Sequence, residues 1–294
     1  MGELYALAAA VVWSCAVILF RRSGETVAPL AMNLFRVAVS GALFLVLLAV
    51  TRRPLWGVAP LGDYLILMAS GIIAIAISDT LFHMALNRVG AGINAIIDTL
   101  YSPFVMLCAW LMLGETIRPL QMGGMVLVIS AVLVASRARP PAGASRQTLV
   151  AGMLFGVGAM ATIAFGIVLA KPVLQRSDVV WATAVRQFGS LLVLVPAALI
   201  DPRRKRLWRV FRPGPEWRFT LPGTLLGSFI ALMFWIAGMK HTTAGAAAIL
   251  NQTSTLFIIG LATVFLGEPF SWRRGLALVL ALGGILLVVS PTLF

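Results

Sequence analysis

Long apolar runs separated by short polar breaks make up most of this 294-residue chain. Each run is close to the ~20 residues that an α-helix needs to cross about 30 Å of hydrocarbon. The alternating pattern over ~10 residues that marks a transmembrane β-strand is absent. The runs therefore predict ten membrane-spanning helices, at residues 3–20, 28–50, 62–86, 90–112, 117–136, 148–170, 178–200, 219–239, 244–266 and 271–291.

The composition supports a chain that lies mostly in lipid. Hydrophobic residues make up 60% of it and charged residues 11%, and the mean hydropathy is +0.98. A soluble domain of this length needs more polar residues to cover its surface. The net charge of +13 comes from basic residues scattered between the apolar runs, where they set membrane topology. We therefore expect an all-α integral membrane protein and no nucleic-acid partner.

The two halves of the chain repeat each other. The motif in "LMLGETI" (111–117) recurs 153 residues later in "VFLGEPF" (264–270), and the same offset places "AIIDTLYS" (95–102) over "AILNQTST" (248–255). Because each half has an odd number of spans, the second half enters the membrane in the opposite orientation, as in many secondary transporters. We predict two inverted five-helix repeats, at 1–136 and 148–294, joined by a Pro/Gly/Ser-rich basic linker at 137–147.

Short motifs in both halves point to a known family. They are the Trp-Ser pair at 13–14 in span 1, Arg36 in span 2, "SPFVMLCAWLMLGE" (102–115) and "STLFIIGLATVFLGE" (254–268). With the ten-span repeat, they make the chain resemble the EamA-type permeases of the drug/metabolite transporter superfamily. The resemblance implies an inner-membrane permease, often an exporter of amino acids or other small metabolites, that needs no cofactor. It names no substrate.

Polar residues inside the spans are the candidate site, because an ionisable group in lipid costs ~2.5–3.5 kcal/mol and usually faces a cavity or a partner. Asp98 leads, on a helix face in span 4. Its repeat-related face in span 9 is centred on Asn251, and inversion brings both faces near the midplane, where such folds bind substrate. Either the two faces bind substrate or they only hydrogen-bond neighbouring helices. The predicted substrate-binding residues are Asp98, Asn251, Asn94, Tyr101, Ser102, Gln252, Ser254, Thr255 and Trp13.

Four other ionisable residues have several interpretations each. Asp79 and His83 lie four residues apart in span 3 and form either a proton relay, or a local ion pair or polar helix end within reach of the headgroups. With Asp98 they are the candidates for proton coupling. Arg36 and Arg186 match at an offset of 150 residues, and they either extend to the membrane surface, pair with Asp79 or Asp98, or bind a substrate carboxylate. Two candidate ligands without a third do not suggest a metal site.

The glutamates of the repeated Leu-Gly-Glu motif are predicted to mark helix boundaries and not to take part in chemistry. The glycine ends one span, and Glu115 or Glu268 then lies near the N-terminus of the following span, where negative charge is favoured. Inversion places one glutamate at each face of the membrane.

We expect a secondary transporter that exports a small polar or amphipathic metabolite, such as an amino acid, by alternating access, with or without proton coupling. The alternatives are a membrane enzyme acting on a lipid-linked substrate and a non-transporting scaffold. The expected partners are the small-molecule substrate and membrane lipids, and no oligomeric state is predicted. Fifteen Lys and Arg lie in the loops opposite the N-terminus and six on its own side, which predicts a bacterial-type plasma membrane protein with both termini outside.

Overall fold

A computed structural model describes residues 2–136, 145–241 and 250–289. Helices account for nearly all of these ranges, and no β-strand occurs within them. In chain order they are α1 (Gly2–Ser23), α2 (Pro29–Val50), α3 (Leu61–Val89), α4 (Ala91–Leu113), α5 (Pro119–Ser136), α6 (Arg146–Arg176), α7 (Val179–Ile200), α8 (Trp217–Thr224, Leu225–Ile230 and Ala231–His241 in succession), α9 (Leu250–Leu266) and α10 (Trp272–Val289).

The predicted fold class is confirmed. Eight of the described helices are long and apolar enough to cross a membrane, and α9 is a shorter apolar helix whose predicted beginning, at 244–249, lies outside the described residues. One span was predicted too short. Helix α6 runs on to Arg176, past the predicted end at 170, with Pro172 inside its last turns. Most of the predicted linker, at 137–144, also lies outside the described residues, and α6 begins at Arg146 behind the N-cap Ser145.

The repeat is visible in the helix boundaries themselves. α5 and α10 are displaced by 153 residues at both ends, and so are the segments Tyr101–Leu113 and Ser254–Leu266. Helices α2 and α7 are displaced by 150. Each half also contains one π-helical segment, Ile72–Ile77 in α3 and Leu225–Ile230 in α8, again 153 residues apart. The two halves therefore share their irregularities as well as their helices.

Polar side chains of α2 contact both π-helical segments. A π-segment interrupts the regular i→i−4 hydrogen bonding of a helix. Asn33, which is fully buried, donates through Nδ2 to the carbonyl oxygens of Ile75 (2.8 Å) and Ala76 (3.2 Å) in α3. Arg36, one turn further along α2, donates through Nε to Ser228 Oγ (2.8 Å) in α8. Helix α2 thus ties the irregular segment of its own half to that of the other half.

Opposite halves also pack closely where small residues meet. Gly124, of the pair at 123 and 124 in α5, faces Gly284, of the pair at 283 and 284 in α10. A side chain at Gly284 would overlap the backbone of Gly124, whereas one at Gly283 would meet no atom of the described residues. The close approach of α5 and α10, which small residues allow, therefore depends on one glycine of the α10 pair.

We predict that Gly284→Ala lowers the free energy of unfolding by about 1–3 kcal/mol through overpacking against α5. Gly283→Ala makes the same chemical change one residue earlier and is expected to stay within about 0.5 kcal/mol of the parent. Reversible unfolding in detergent micelles measures both. Equal stability of the two variants would contradict the packing described for α5 and α10.

Candidate functional site

A cavity of about 330 Å³ lies between α1–α4 of the first half and α6–α9 of the second. Of the described residues, none in α5 or α10 lines it. Its walls carry four ionisable groups, the side chains of Arg36, Asp79, Asp98 and Arg186, among aromatic and aliphatic residues. The polar lining also includes hydroxyl and amide groups, at Ser40, Ser78, Tyr101, Thr183, Gln187, Ser228, Asn251, Gln252, Ser254 and Thr255.

Two broken helices bring part of this lining into the middle of the bundle. Helix α4 consists of Ala91–Asp98 and Tyr101–Leu113, joined by a tight turn in which the Leu100 N–H bonds the Ile97 carbonyl at 2.9 Å. Pro103 has no N–H to continue the helical bonding across this turn. Helix α9 breaks at the repeat-related place, where the Thr253 N–H bonds the Leu250 carbonyl at 3.2 Å. Asp98 and Asn251 therefore both lie next to a helix break facing the cavity.

Arg36 is held by partners from three helices. Its Nη2 lies 3.3 Å from Asp79 Oδ2, its Nη1 3.0 Å from His83 Nε2, and its Nε donates to Ser228 Oγ. The Phe20 ring lies against the guanidinium at 5.0 Å. Because arginine only donates, His83 Nε2 must accept, which fixes the imidazole as neutral in this arrangement. Each of the three guanidinium nitrogens of Arg36 therefore has a polar or charged partner.

Arg186 occupies the repeat-related position but is not paired. Its Nε is buried without a hydrogen-bond partner, and no carboxylate among the described residues forms an ion pair with its guanidinium. Asp79 and Tyr101 are near enough to interact with it electrostatically. The 153-residue offset explains the difference, because it places Leu232 where the first half has Asp79. Leu232 lines the same cavity and offers no charge.

Asp98 is the matching unpaired anion. Its carboxylate accepts hydrogen bonds from Asn94 Nδ2 at 3.2 and 3.3 Å, and within the described ranges it forms no ion pair. Its repeat-related residue is the neutral Asn251. Among the described residues, the cavity therefore contains one close ion pair, Arg36 with Asp79, and one cation and one anion, Arg186 and Asp98, that form no ion pair. Asp79 interacts with Arg186 only from beyond ion-pair distance.

The structure gathers most of the predicted site residues around one cavity. Those that line it are Asp98, Asn251, Tyr101, Gln252, Ser254, Thr255, Trp13, Asp79, Arg36 and Arg186. Three others lie just behind the lining. Asn94 is fully buried and bonds Asp98, Ser102 accepts a long bond (3.5 Å) from Gln252 Nε2, and His83 contacts Arg36. Helix α4 is interrupted at residues 99–100. Asn94 and Tyr101 therefore lie on separate helical segments and not on one continuous face.

Several lining residues were not predicted from the sequence. Gln187 follows Arg186 directly and donates to Ser40 Oγ at 3.0 Å, while its Oε1 is buried without a partner. A glutamine within an apolar run is unusual, and this could have identified Gln187 as a candidate site residue from the sequence. Ser228 gave no such signal, because its role depends on the π-segment and on Arg36 from the other half.

The predicted role of one of the two motif glutamates, Glu268, needs correction. Gly114 and Gly267 do end their helices in the left-handed conformation, with φ of 69° and 66°. Glu268, however, does not bind the N-terminus of the following helix. It accepts the N–H groups of Ala91 (2.6 Å) and Gly92 (3.1 Å) at the start of α4 in the other half. Helix α10 begins only at Trp272, whereas the unsatisfied N–H groups of α4 lie within reach.

The cavity is placed asymmetrically between the two ends of the bundle. We call these the Glu268 end, where α3 ends and α4 begins, and the Glu115 end, where Glu115 pairs with Lys171 of α6 at 2.6 Å. Toward the Glu268 end the interior is filled by fully buried side chains, among them Phe20, Leu86 and Ile93. Toward the Glu115 end the cavity lining reaches Thr183, in the second turn of α7, whereas toward the Glu268 end it stops at Arg36 and Phe82, about two turns inside α2 and α3. No group of three or more potential metal ligands occurs among the described residues.

The helical bundle, its inverted halves and its central polar cavity define a membrane transporter fold. The model of the EamA-like transporter family matches residues 1–137 and again 150–290. The chain belongs to the EamA-like transporter family.

Individual relatives agree with this assignment. The uncharacterized transporter YvbV of Bacillus subtilis (strain 168) is 26% identical over 234 residues, which cover 76% of this chain and 69% of that protein. An uncharacterized transporter of Archaeoglobus fulgidus is 23% identical over 291 residues, covering 99% and 98%. A crystal structure of a protein that is 17% identical superposes with a TM-score of 0.66 over 97% of this chain and 95% of that one, which supports the fold.

We predict that Arg36→Gln destabilises the protein by about 3–5 kcal/mol, because it leaves the Asp79 carboxylate, 18% exposed, without its cation. The double variant Arg36→Gln/Asp79→Asn should recover part of this loss. Arg53→Gln, which breaks the exposed pair with Asp178, is the control and should cost no more than about 1 kcal/mol. Reversible unfolding in detergent micelles gives the free energy of unfolding of each variant. A double variant less stable than Arg36→Gln would show that the Asp79 charge does not depend on Arg36.

Proposed function

We propose that this transporter exports a small zwitterionic or amphipathic metabolite, such as an amino acid, by alternating access around the central cavity. The observation that carries the proposal is the pair of unmatched charges, Asp98 and Arg186, in one cavity. An unpaired charge in the interior of a membrane protein is expensive and is usually retained for function. A bound zwitterion supplies both missing partners at once.

The chemistry of each charge suggests how such a substrate is held. The guanidinium of Arg186 has several N–H donors in a planar fork that suits a carboxylate. The carboxylate of Asp98 accepts the N–H donors of a substrate ammonium group. The neutral amides at Asn251 and Gln252 and the Tyr101 hydroxyl add hydrogen-bonding groups to the same cavity. A monovalent amine or acid would leave one of the two charges unsatisfied.

The rest of the lining suits an apolar substrate side chain. Trp13, Phe82, Trp235, Ile163 and Ile258 line the cavity. A volume of about 330 Å³ lies near the lower limit of small-molecule sites, so the substrate is small. Apolar walls with a few placed polar groups are typical of such sites. Relatives that are named as transporters favour transport over catalysis on a lipid-linked substrate.

Proton coupling is best assigned to Asp98. His83 already accepts a hydrogen bond from Arg36, and its protonation would place two cations 3.0 Å apart. Asp79 is engaged in an ion pair with Arg36. Asp98 has no cation to lose, so a proton and a substrate ammonium group compete for the same carboxylate. Such competition is sufficient for proton–substrate antiport.

We assign the Glu268 end to the cytoplasm of a bacterial-type plasma membrane. It carries the 201–219 loop, in which seven exposed basic residues surround the short helix Arg204–Trp208. Cytoplasmic loops are enriched in Lys and Arg. Both termini then lie outside, and the cavity extends toward the outer face, as expected of an exporter after release of its substrate.

We predict that Asp98→Asn and Arg186→Gln each slow amino-acid flux in proteoliposomes about ten- to hundredfold, the effect of losing one charge-assisted hydrogen bond. A panel of amino acids, with the matching primary amines and carboxylic acids, is the substrate set. The loss on Arg186→Gln should be greater for the zwitterion than for its amine analogue. Unchanged flux of every transported amino acid in both variants would contradict the proposal.

The surface pair Asp201 and Arg203 provides matched controls for these changes. Asp201→Asn and Arg203→Gln repeat the same substitutions outside the cavity and should leave flux unchanged. Hydrogen bonds from the Arg203 side chain and backbone hold the pKa of Asp201 below its ordinary value. The carboxyl is therefore charged throughout the neutral range and adds no titration there.

The same proteoliposomes test whether transport is coupled to protons through Asp98. With the parent protein, acidifying the compartment that faces the cavity should weaken substrate binding on that side, because a protonated Asp98 cannot hold an ammonium group. A proton gradient should then drive substrate in the opposite direction. Asp98→Asn should abolish both effects. A gradient response that survives in Asp98→Asn would assign the proton to another group.

We predict that Lys205→Cys, with Cys15 and Cys108 replaced by serine, is not labelled by an impermeant maleimide added to intact cells, and is labelled once the membrane is permeabilised. Ala59→Cys, in the opposite loop between α2 and α3, serves as the external control and should be labelled directly. The reverse pattern would place the Glu268 end outside.

A further inference from the structure

Glu268 joins the two halves at the Glu268 end of the bundle, where Ser23 also bonds Thr220 and Arg22 also bonds the Phe265 carbonyl. Its carboxylate, with the side chain 13% exposed, accepts the N–H groups of Ala91 and Gly92 at 2.6 and 3.1 Å. It also pairs with Arg274 of α10 at 3.2 Å, whose side chain is 5% exposed. Two backbone donors and one guanidinium therefore converge on one carboxylate.

The sequence around α4 makes room for this carboxylate. Gly90 has φ of 83°, and a side chain there would overlap the Glu268 carboxylate. A side chain at Gly92 would crowd both Glu268 and Arg274. The glycines on either side of Ala91 thus form a backbone cradle at the N-terminus of α4, where the helix dipole also favours an anion.

The cradle is connected to the cavity by a short rigid segment. The first segment of α4 is eight residues long, Ala91–Asp98, or about 12 Å at the α-helical rise. Glu268 holds its first residues, and its last residue is Asp98. Movement of this segment away from Glu268 therefore also displaces the carboxylate that is proposed to bind substrate and proton.

The repeat-related glutamate has a different environment. Glu115 is 51% exposed and its cation, Lys171, is 42% exposed. An exposed ion pair of this kind contributes little to holding two elements together. The buried contact lies at the end where the interior is filled, and the exposed one lies at the end toward which the cavity extends.

From these contacts we propose that Glu268, with Arg274, is a latch that closes one end of the transport pathway by holding the N-terminus of α4, and that its release opens that end. Glu268 is thus a positioning residue that acts through the first segment of α4. The proposal rests on alternating access but on no particular substrate. Opening requires the two halves to part at Gly90–Gly92, which breaks both backbone hydrogen bonds to Glu268 and leaves the Glu268–Arg274 pair within the second half.

Water accessibility of two cysteine reporters tests the latch without any substrate. Both are made with Cys15 and Cys108 replaced by serine. Ala262→Cys lies one turn beyond the cavity-lining Ile258 toward the Glu268 end and is 1% exposed in the parent. Ile167→Cys lines the cavity toward the Glu115 end. A small permeant maleimide reports the labelling rate at each position in native membranes.

Glu268→Ala removes both backbone hydrogen bonds across the halves. It is expected to raise labelling of Ala262→Cys by about tenfold or more, since about tenfold is the population shift from losing even one charge-assisted hydrogen bond, and to lower labelling of Ile167→Cys. Glu268→Gln keeps one acceptor oxygen and should give a smaller shift in the same directions. Glu115→Gln is the matched control at the repeat-related position and should not raise labelling of Ala262→Cys.

Opposite changes at the two reporters support a latch that selects which end is open. Unchanged labelling of Ala262→Cys in Glu268→Ala would overturn the proposal. A rise at both reporters would also overturn it, because that result indicates general loosening of the bundle. Since labelling needs no substrate, failure of the flux assay leaves this test intact, and normal flux with unchanged labelling rejects the latch alone.

Discussion

An ionisable side chain within a lipid-spanning bundle must find a partner, and this requirement organises the centre of the protein. Arg36 meets this requirement completely, through Asp79 and His83 of α3 and Ser228 of α8. Its repeat-related residue, Arg186, does not, because the second half has a leucine where the first has Asp79. The duplicated arginine is thus structural in one half and available for binding in the other.

The helical irregularities are also repeated in both halves, whereas the side chains around them differ. Each half has one π-helical segment and one broken helix at matching positions, and both features border the cavity. Irregular backbone within a membrane is tolerated where protein or a polar cavity satisfies it. Asn33 satisfies the carbonyl groups of α3, and the break after Asp98 places its carboxylate beside the central cavity. Repetition of the backbone with divergence of the side chains produces one asymmetric site.

Much of the fold and of the candidate site could be read from residue order. Periodicity and composition gave the helices, the Leu-Gly-Glu repeat gave the register of the halves, and that register led to Asp98 and Asn251. The contacts of Glu268 could not be read in this way, since they join residues 177 positions apart through backbone N–H groups that carry no side-chain signature. The same holds for Ser228, whose hydroxyl meets Arg36 only because two helices from different halves cross there.

The sequence by itself determined that this protein is a helical membrane bundle built from an inverted repeat, because hydrophobic length and spacing are local properties that lipid selects directly. It also identified which rare polar residues lie within the membrane. Only the tertiary structure decided which of these charges form an ion pair and which do not. Pairing depends on distances between helices. Two arginines at equivalent positions of repeat-related helices therefore differ in their partners once the neighbouring helices are in place.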